Sequence, residues 1–558
     1  MESYVFIGLA VLAGLFFLFY TNQRRARKMR RIRIEESWGK LPDREYTYDE
    51  FERIRHYFDR KADASFALDE ITWQDLDLDS VFRQMNHTWS SVGEETLYRI
   101  LRTPTFDEET LRERDRLATY FASHKKETFD LQEIFCELGR VRRIALADYL
   151  YSLPQAPKLP IGRSLFQDIL FAAAVFLLLF NISAGIPLFI LMIAVNILTY
   201  YQNRARVESY FSCVSYLLKL LHAGKRIAQK DLPELKTYQE TIRKNTLPFR
   251  GIEKKAALIS GGDRMGGSFL DMLLDYIRMI THVDLIAFEQ IRRQLERHIP
   301  EMESVMEPLG QIESAVATAS YRESLPCFCR PDFSKGDNLC FAARRLYHPL
   351  LTDPVTNDFK TGKGVLLTGS NASGKSTFLK TAALAAVLAQ TIATVPAASY
   401  QSSRFLVYSS MSLKDDLAEG ESYYMAEIRS LKRILDAAGG KKPILCFVDE
   451  VLRGTNTVER IAASAKLLQS LAGKNALPFA ATHDRELTGL LKETYENYHF
   501  EEEMREGDIA FSYRILPGPA TTCNAIRLLA RMGYATDVTA GADRMAEHFL
   551  QKGVWENL

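Results

Sequence analysis

The sequence predicts an α/β domain at its C-terminal end, behind a mostly helical chain that an apolar hairpin interrupts. Three observations predict this. Over 330–558, short β-branched or apolar runs alternate with helical patterns, as a parallel α/β layer requires. Over 41–150 and 204–325, apolar residues recur at helical spacing, for example in 97–101, 111–121 and 269–298. Between these helical parts, the stretch 165–201 carries a single formal charge, Asp168.

The N-terminal stretch 4–20, YVFIGLAVLAGLFFLFY, is uncharged and about as long as a membrane span. A cleavable signal peptide carries its cations ahead of such a run. Here Arg24, Arg25, Arg27, Lys28, Arg30, Arg31 and Arg33 follow it. The expectation is an uncleaved anchor over 1–22 with its start outside, and a basic stalk over 23–40 in the cytoplasm. The Pro-rich stretch 153–160, LPQAPKLP, leads into the second apolar zone, which NISAGIP at 181–187 breaks in the middle. Two helices joined by a tight turn fit this pattern. Arg163 flanks one end and Arg204 and Arg206 the other, so both ends face the cytoplasm. The expected organisation is anchor, stalk, a first helical core part over 41–152, linker and transmembrane hairpin over 153–203, a second helical lever part over 204–329, and the α/β domain over 330–558.

Bulk numbers agree with this and exclude some classes. A chain of 558 residues is too long for one core. Lys+Arg (71) and Asp+Glu (70) nearly cancel, so there is no global basic footprint of a DNA-coating protein. The seven cysteines form no CxxC pair, which suits reduced thiols in a cytosolic body. Three apolar spans are few for a transporter and offer no polar path beyond Asp168.

The chemistry lies in the α/β part. Residues 364–368, GVLLT, read as a buried strand. They lead into GSNASGKST at 369–377, followed by a helical run over 378–393. This is GxxxxGK[ST] in its strand–loop–helix context. Glycines let backbone N–H groups wrap phosphates, and the helix N-terminus adds positive potential. Gly369, Ser370, Asn371, Ala372, Ser373, Gly374, Lys375, Ser376 and Thr377 would hold ATP, with Lys375 on the β- and γ-phosphates and Ser376 on Mg²⁺. Some 75 residues on, the apolar run 443–448 ends in Asp449-Glu450. A strand delivering Asp then Glu beside such a loop is a Walker B arrangement. Asp449 would hold Mg²⁺ and Glu450 would orient or deprotonate the attacking water. A third strand pattern, 477–481, ends at Thr482-His483-Asp484, where His483 can meet the γ-phosphate or the water.

Together these residues resemble the MutS family, densely over the last 230 or so residues. The P-loop with Asn371 inside it, the VPA segment at 395–397, the run 415–427 and the DEVLRGTNT run at 449–457 resemble that family's ATPase motifs. His348-Pro349 and 356–358 resemble its approach to the P-loop, and 513–533 its closing helix-turn-helix dimer element. Upstream, 78–82, 91–104 and 312–331 are similar to the borders of its helical core. The resemblance implies an ABC/MutS-type P-loop ATP hydrolase acting as a homodimer, in which Ser422 reaches across to the partner's γ-phosphate. It also implies catalytic roles for Glu450, His483 and Lys375, and DNA as a possible partner. The chain departs from the family pattern upstream. An anchor stands where a mismatch-reading domain is expected, and the middle of the core is short for a DNA clamp. The reading is therefore a multi-pass cell-membrane ATPase with a cytoplasmic ATPase domain, coupled to mismatched, branched or damaged DNA. The alternative is an ATP-driven membrane switch acting on a protein or lipid partner without DNA.

Overall fold

The computed structural model describes residues 2–60, 66–141, 145–259, 269–336, 338–370, 373–411, 423–452, 455–505, 508–520, 526, 529–530 and 532–555. The chain divides into two compact units. One comprises 1–63, 85–100 and 116–324; the other comprises 64–84, 101–115 and 325–558.

The first unit is helical. Its opening helix runs from Glu2–Ser37 and contains the apolar stretch 4–20. The 165–201 zone forms two helices, Ile161–Phe180 and Ile182–Ala228, with Asn181 alone between them. Pro187 does not break the second arm; it lies in its second turn, where few hydrogen bonds are lost. Nor does the arm end near 203. It continues as one helix to Ala228, because no Gly or Pro interrupts 188–223. Its character changes on the way. From Val207 onward, Phe211, Val214, Leu218 and Leu221 recur at spacings of four and three and are buried in the unit's core. Phe211 stacks on Phe288 at 4.4 Å between centroids. The Pro-rich stretch ahead of the hairpin is tied down: Leu159 N donates to Glu289, and Arg292, ion-paired with Glu289, donates to Leu153 O.

The helical pattern 269–298 folds as two helices, Phe269–Thr281 and Val283–Arg297. His282 separates them with φ of +47°, and its fully buried ring contacts Asp168 and Thr199. Tertiary contacts at one side chain thus override a continuous helical period. Another buried polar group holds the residues just ahead of the helix Ser91–Arg102. Glu313 accepts from Trp89 N and Ser90 N and meets Ser90 Oγ, and burial pushes its carboxyl up to about 7.

The second unit holds two sheets. β1 (Asp332–Phe333), β2 (Phe341–Leu346), β3 (Asn357–Thr361) and β5 (Ser399–Ser402) form a four-stranded sheet in the order β1-β5-β2-β3. β4 (Gly364–Thr368), β6 (Leu406–Ser410), β7 (Ile444–Asp449), β8 (Ala476–Ala481), β9 (Tyr495–Arg505) and β10 (Asp508–Pro517) form a six-stranded sheet in the order β10-β9-β4-β8-β7-β6. Every pairing in the larger sheet is parallel except that of the edge strand β10. β4 and β8 are buried at every position, which is why they read as unbroken apolar runs. The Ala-rich helix Lys375–Ile392 packs beside β7 and β8, buried from Thr381 to Ile392.

The opposite edge, β6, is covered by a short upstream helix, Glu70–Asp75. Ser409 N donates to Thr72 Oγ1, and Asp75 Oδ2 accepts from Ser409 Oγ at 2.6 Å and Met411 N at 2.9 Å. An edge strand left open would invite pairing with another chain, and this helix closes it.

Candidate nucleotide site

Three adjacent strands set the site by their register. Leu367 of β4 and Asp449 of β7 both stand opposite Ala481 of β8. The chain leaving β4 at Gly369, the Asp449–Glu450 step leaving β7 and the Thr482–His483 step leaving β8 therefore emerge along one carboxyl edge. Ligands of open parallel sheets sit in this position.

The loop after β4 turns at Gly369 and Gly374, with φ of +143° and +111°. A Cβ on Gly374 would stand 3.2 Å from the Tyr513 ring, and one on Gly369 3.0 Å from Phe500 O. Glycine is required at both for conformation and for space. The helix then opens at Lys375, whose Nζ donates to Gly369 O at 2.8 Å and Ser370 O at 2.7 Å. The cation is folded onto its own loop, at the place where a phosphate chain would lie. Ser376 Oγ donates to Asp449 Oδ2 at 2.5 Å. Thr377 lies beside them on the cavity wall.

Past Asp449 the backbone takes left-handed conformations at two non-glycine residues, Glu450 (φ +55°) and Leu452 (φ +57°). Each costs about 1 kcal/mol or more and persists only where neighbours hold it. Two hydrogen bonds do so. Glu450 N donates to Ala481 O at 2.9 Å, and Leu452 N donates to Glu427 Oε1 at 2.5 Å. Glu427 is buried on the helix Tyr423–Ala437. The turn presents Glu450 Oε1 at 2.8 Å from His483 Nε2. The next residue, Asp484, is gripped by Arg460 through Nε at 3.0 Å and Nη2 at 2.6 Å, a bidentate pair that fixes the loop carrying His483.

Gly374, Lys375, Ser376, Thr377 and Glu450 border a cavity of about 570 Å³, walled on the far side by His348, Val355, Asn357 and Tyr513. Burial, helped by Lys380, pushes His348 down to about 4, so its ring is neutral. Asn357 clamps the irregular part of β10, donating to Tyr513 O and accepting from Ile515 N.

Two buried atoms at the loop have no hydrogen-bond partner among the described residues: Ser373 Oγ and Asp449 Oδ1. Ser373 Oγ is a donor beside the Lys375 cation and suits a phosphate oxygen. Asp449 Oδ1, next to Ser376, is an acceptor that suits a hydrated divalent cation. The donor set thus fits ATP with Mg²⁺. Of the residues named from sequence, Gly369, Ser370, Ser373, Gly374, Lys375, Ser376, Thr377, Asp449, Glu450 and His483 meet at this edge. Asn371, Ala372 and Ser422 lie outside the described residues. The grip of Glu427 on Leu452, the Arg460–Asp484 pair and the Tyr513 wall were not assigned from sequence. Each depends on contacts across long stretches of chain that no spacing encodes.

Residues 365–550 match the family model described as MutS domain V. The DNA mismatch repair protein MutS of Thermus aquaticus is 32% identical over 262 residues, covering 46% of this chain and 31% of that protein. The C-terminal part of the chain is thus similar to MutS-family proteins. The namesake of Lactobacillus delbrueckii subsp. bulgaricus is 29% identical over 300 residues, covering 51% of this chain and 34% of the relative. That of Lactobacillus acidophilus is 29% identical over 297 residues, with the same two shares. The chain thus spans about a third of the length of the curated relatives it matches. MutS-family proteins as a class are ATPases that act as dimers and bind DNA.

Proposed function

We propose that this chain is a membrane-held ATPase that binds and hydrolyses ATP as a homodimer and couples the cycle to DNA. The observation that carries the reading is the shared strand edge, where Lys375, the Ser376–Asp449 pair and the Glu450–His483 pair stand together. Lys375 would leave its loop carbonyls for the β- and γ-phosphates. Ser376 and Asp449 would hold Mg²⁺, which neutralises developing phosphate charge. The Glu450 carboxylate would take a proton from the attacking water, oriented by His483 Nε2. Ser422 of a second copy would complete the site from across the dimer. Membrane attachment is supported by two helices long and apolar enough to cross a bilayer, only 17% buried over their apolar windows.

A second reading, a membrane switch acting on a protein or lipid partner, draws on the near-zero net charge of +1. One experiment separates them. ATP hydrolysis by the detergent-purified chain is measured without DNA and with homoduplex, mismatched and branched DNA, at two salt concentrations, with Lys375→Ala as the blank. Stimulation by one DNA class that fades at higher salt is expected. Turnover indifferent to every DNA would overturn the DNA coupling and favour the switch.

A further inference from the structure

We infer that the 161–228 hairpin enters the bilayer from one face only and turns inside the hydrocarbon. The inference rests on the membrane-held reading and adds a topology to it.

The outer surface of the hairpin suits lipid. Phe176, Leu179, Phe180, Ile182, Ile190 and Leu191 are between 56% and 76% exposed. No charged residue occurs between Asp168 and Arg204. A turn that emerges on the far side of a membrane can leave its polar groups to water. A turn in hydrocarbon must satisfy them itself. This one does. Asn181 N donates to Leu177 O and Gly185 N to Asn181 O, both at 2.8 Å, while Ala184 N donates to the Asn181 side chain at 3.2 Å. Gly185 allows the arms to close, since a Cβ there would lie 2.5 Å from Leu178 Cα.

Length decides how far the hairpin reaches. A polar layer binds both arms to the body. His282 Nδ1 meets Asp168 Oδ1 at 3.0 Å and His282 Nε2 meets Thr199 Oγ1 at 3.1 Å, while Asn196 Nδ2 donates to Ile280 O at 2.7 Å. Just below it, Tyr200 and Arg204 reach Asp284. From Asp168 to Phe180 the first arm rises about 18 Å, and from Asn196 back to Ile182 the second spans about 21 Å. The hydrocarbon is about 30 Å thick. The part above the polar layer therefore passes the midplane and stops short of the far headgroups. At its base, the exposed Tyr201 suits the interface, and the exposed Lys158, Arg163 and Arg206 complement anionic headgroups on the near side.

The test is sided labelling of the full-length protein in sealed vesicles with a membrane-impermeant maleimide. Ser183→Cys reports the turn and Gln202→Cys the base. Label is read on the peptide 164–204, which contains no native cysteine. The expected result is that position 202 labels from one side and position 183 from neither, until detergent opens the bilayer. Labelling of 183 from the side opposite 202 would overturn the inference in favour of full crossing. Labelling of both from the same side, with the protein released by an alkaline wash, would overturn the membrane-held reading itself.

Discussion

Glu450 is the residue on which the proposed chemistry turns, and its backbone conformation is as telling as its carboxylate. A glutamate held at φ +55° directly after a buried strand is a strained residue supported from both sides. Replacing Glu450 with Gln keeps the volume and the contact to His483 but removes the base. Turnover should fall by about a hundredfold or more with ATP affinity little changed. The support from Glu427 yields a separate prediction. Glu427→Ala leaves Leu452 N without its acceptor and lets the turn move, so kcat should drop roughly tenfold to a hundredfold with little change in KM. Glu427→Gln, whose amide oxygen can still accept, should restore most of it. Glu450 and His483 were legible in the sequence because each follows an apolar strand. Glu427 is tied to Leu452 only in the folded chain.

Glu313 carries a prediction about stability. Its folded-state pKa, about 7, lies above the ordinary carboxyl value of 4.5, so the folded state binds the proton more tightly than the unfolded chain. Stability is therefore highest below pH 4.5 with respect to this group, and is lost as pH rises toward 7. The cost is on the order of 3 kcal/mol once the carboxylate is fully charged. Gln reproduces the protonated pattern, accepting from Trp89 N and Ser90 N and donating to Ser90 Oγ. Thermal melts of Glu313→Gln should lose this fall in stability between pH 5 and pH 8, whereas the wild type retains it.

At the scale of elements, the parallel sheet was legible in the sequence. Strands buried on both faces write themselves as apolar runs, and β4, β7 and β8 lie within a residue of where those runs predict them. Patterns set by local period alone fared less well. The 269–298 run reads as one helix, yet the buried His282 divides it, and the second hairpin arm runs on to Ala228 where composition suggested a boundary. The cover on β6 was not legible either, because its polar contacts join residues more than 300 apart. Asp75→Ala would strip the acceptor from Ser409 Oγ and Met411 N in a buried setting. It should destabilise the C-terminal unit by about 2 kcal/mol, read as an earlier unfolding transition, with a smaller loss for Asp75→Asn.

At the scale of the whole chain, the C-terminal unit gathers two upstream segments, 64–84 and 101–115, in addition to the residues that match MutS domain V. Its strand edge carries the proposed chemistry, and the helical unit carries the apolar hairpin. The central claim is that this edge hydrolyses ATP. The most direct measurement compares nucleotide binding and ATP turnover in the wild type, Lys375→Ala and Glu450→Gln. The account predicts turnover in the wild type alone, with Glu450→Gln still binding ATP and Lys375→Ala binding it poorly. Wild-type turnover in Glu450→Gln would contradict the assignment of the catalytic edge.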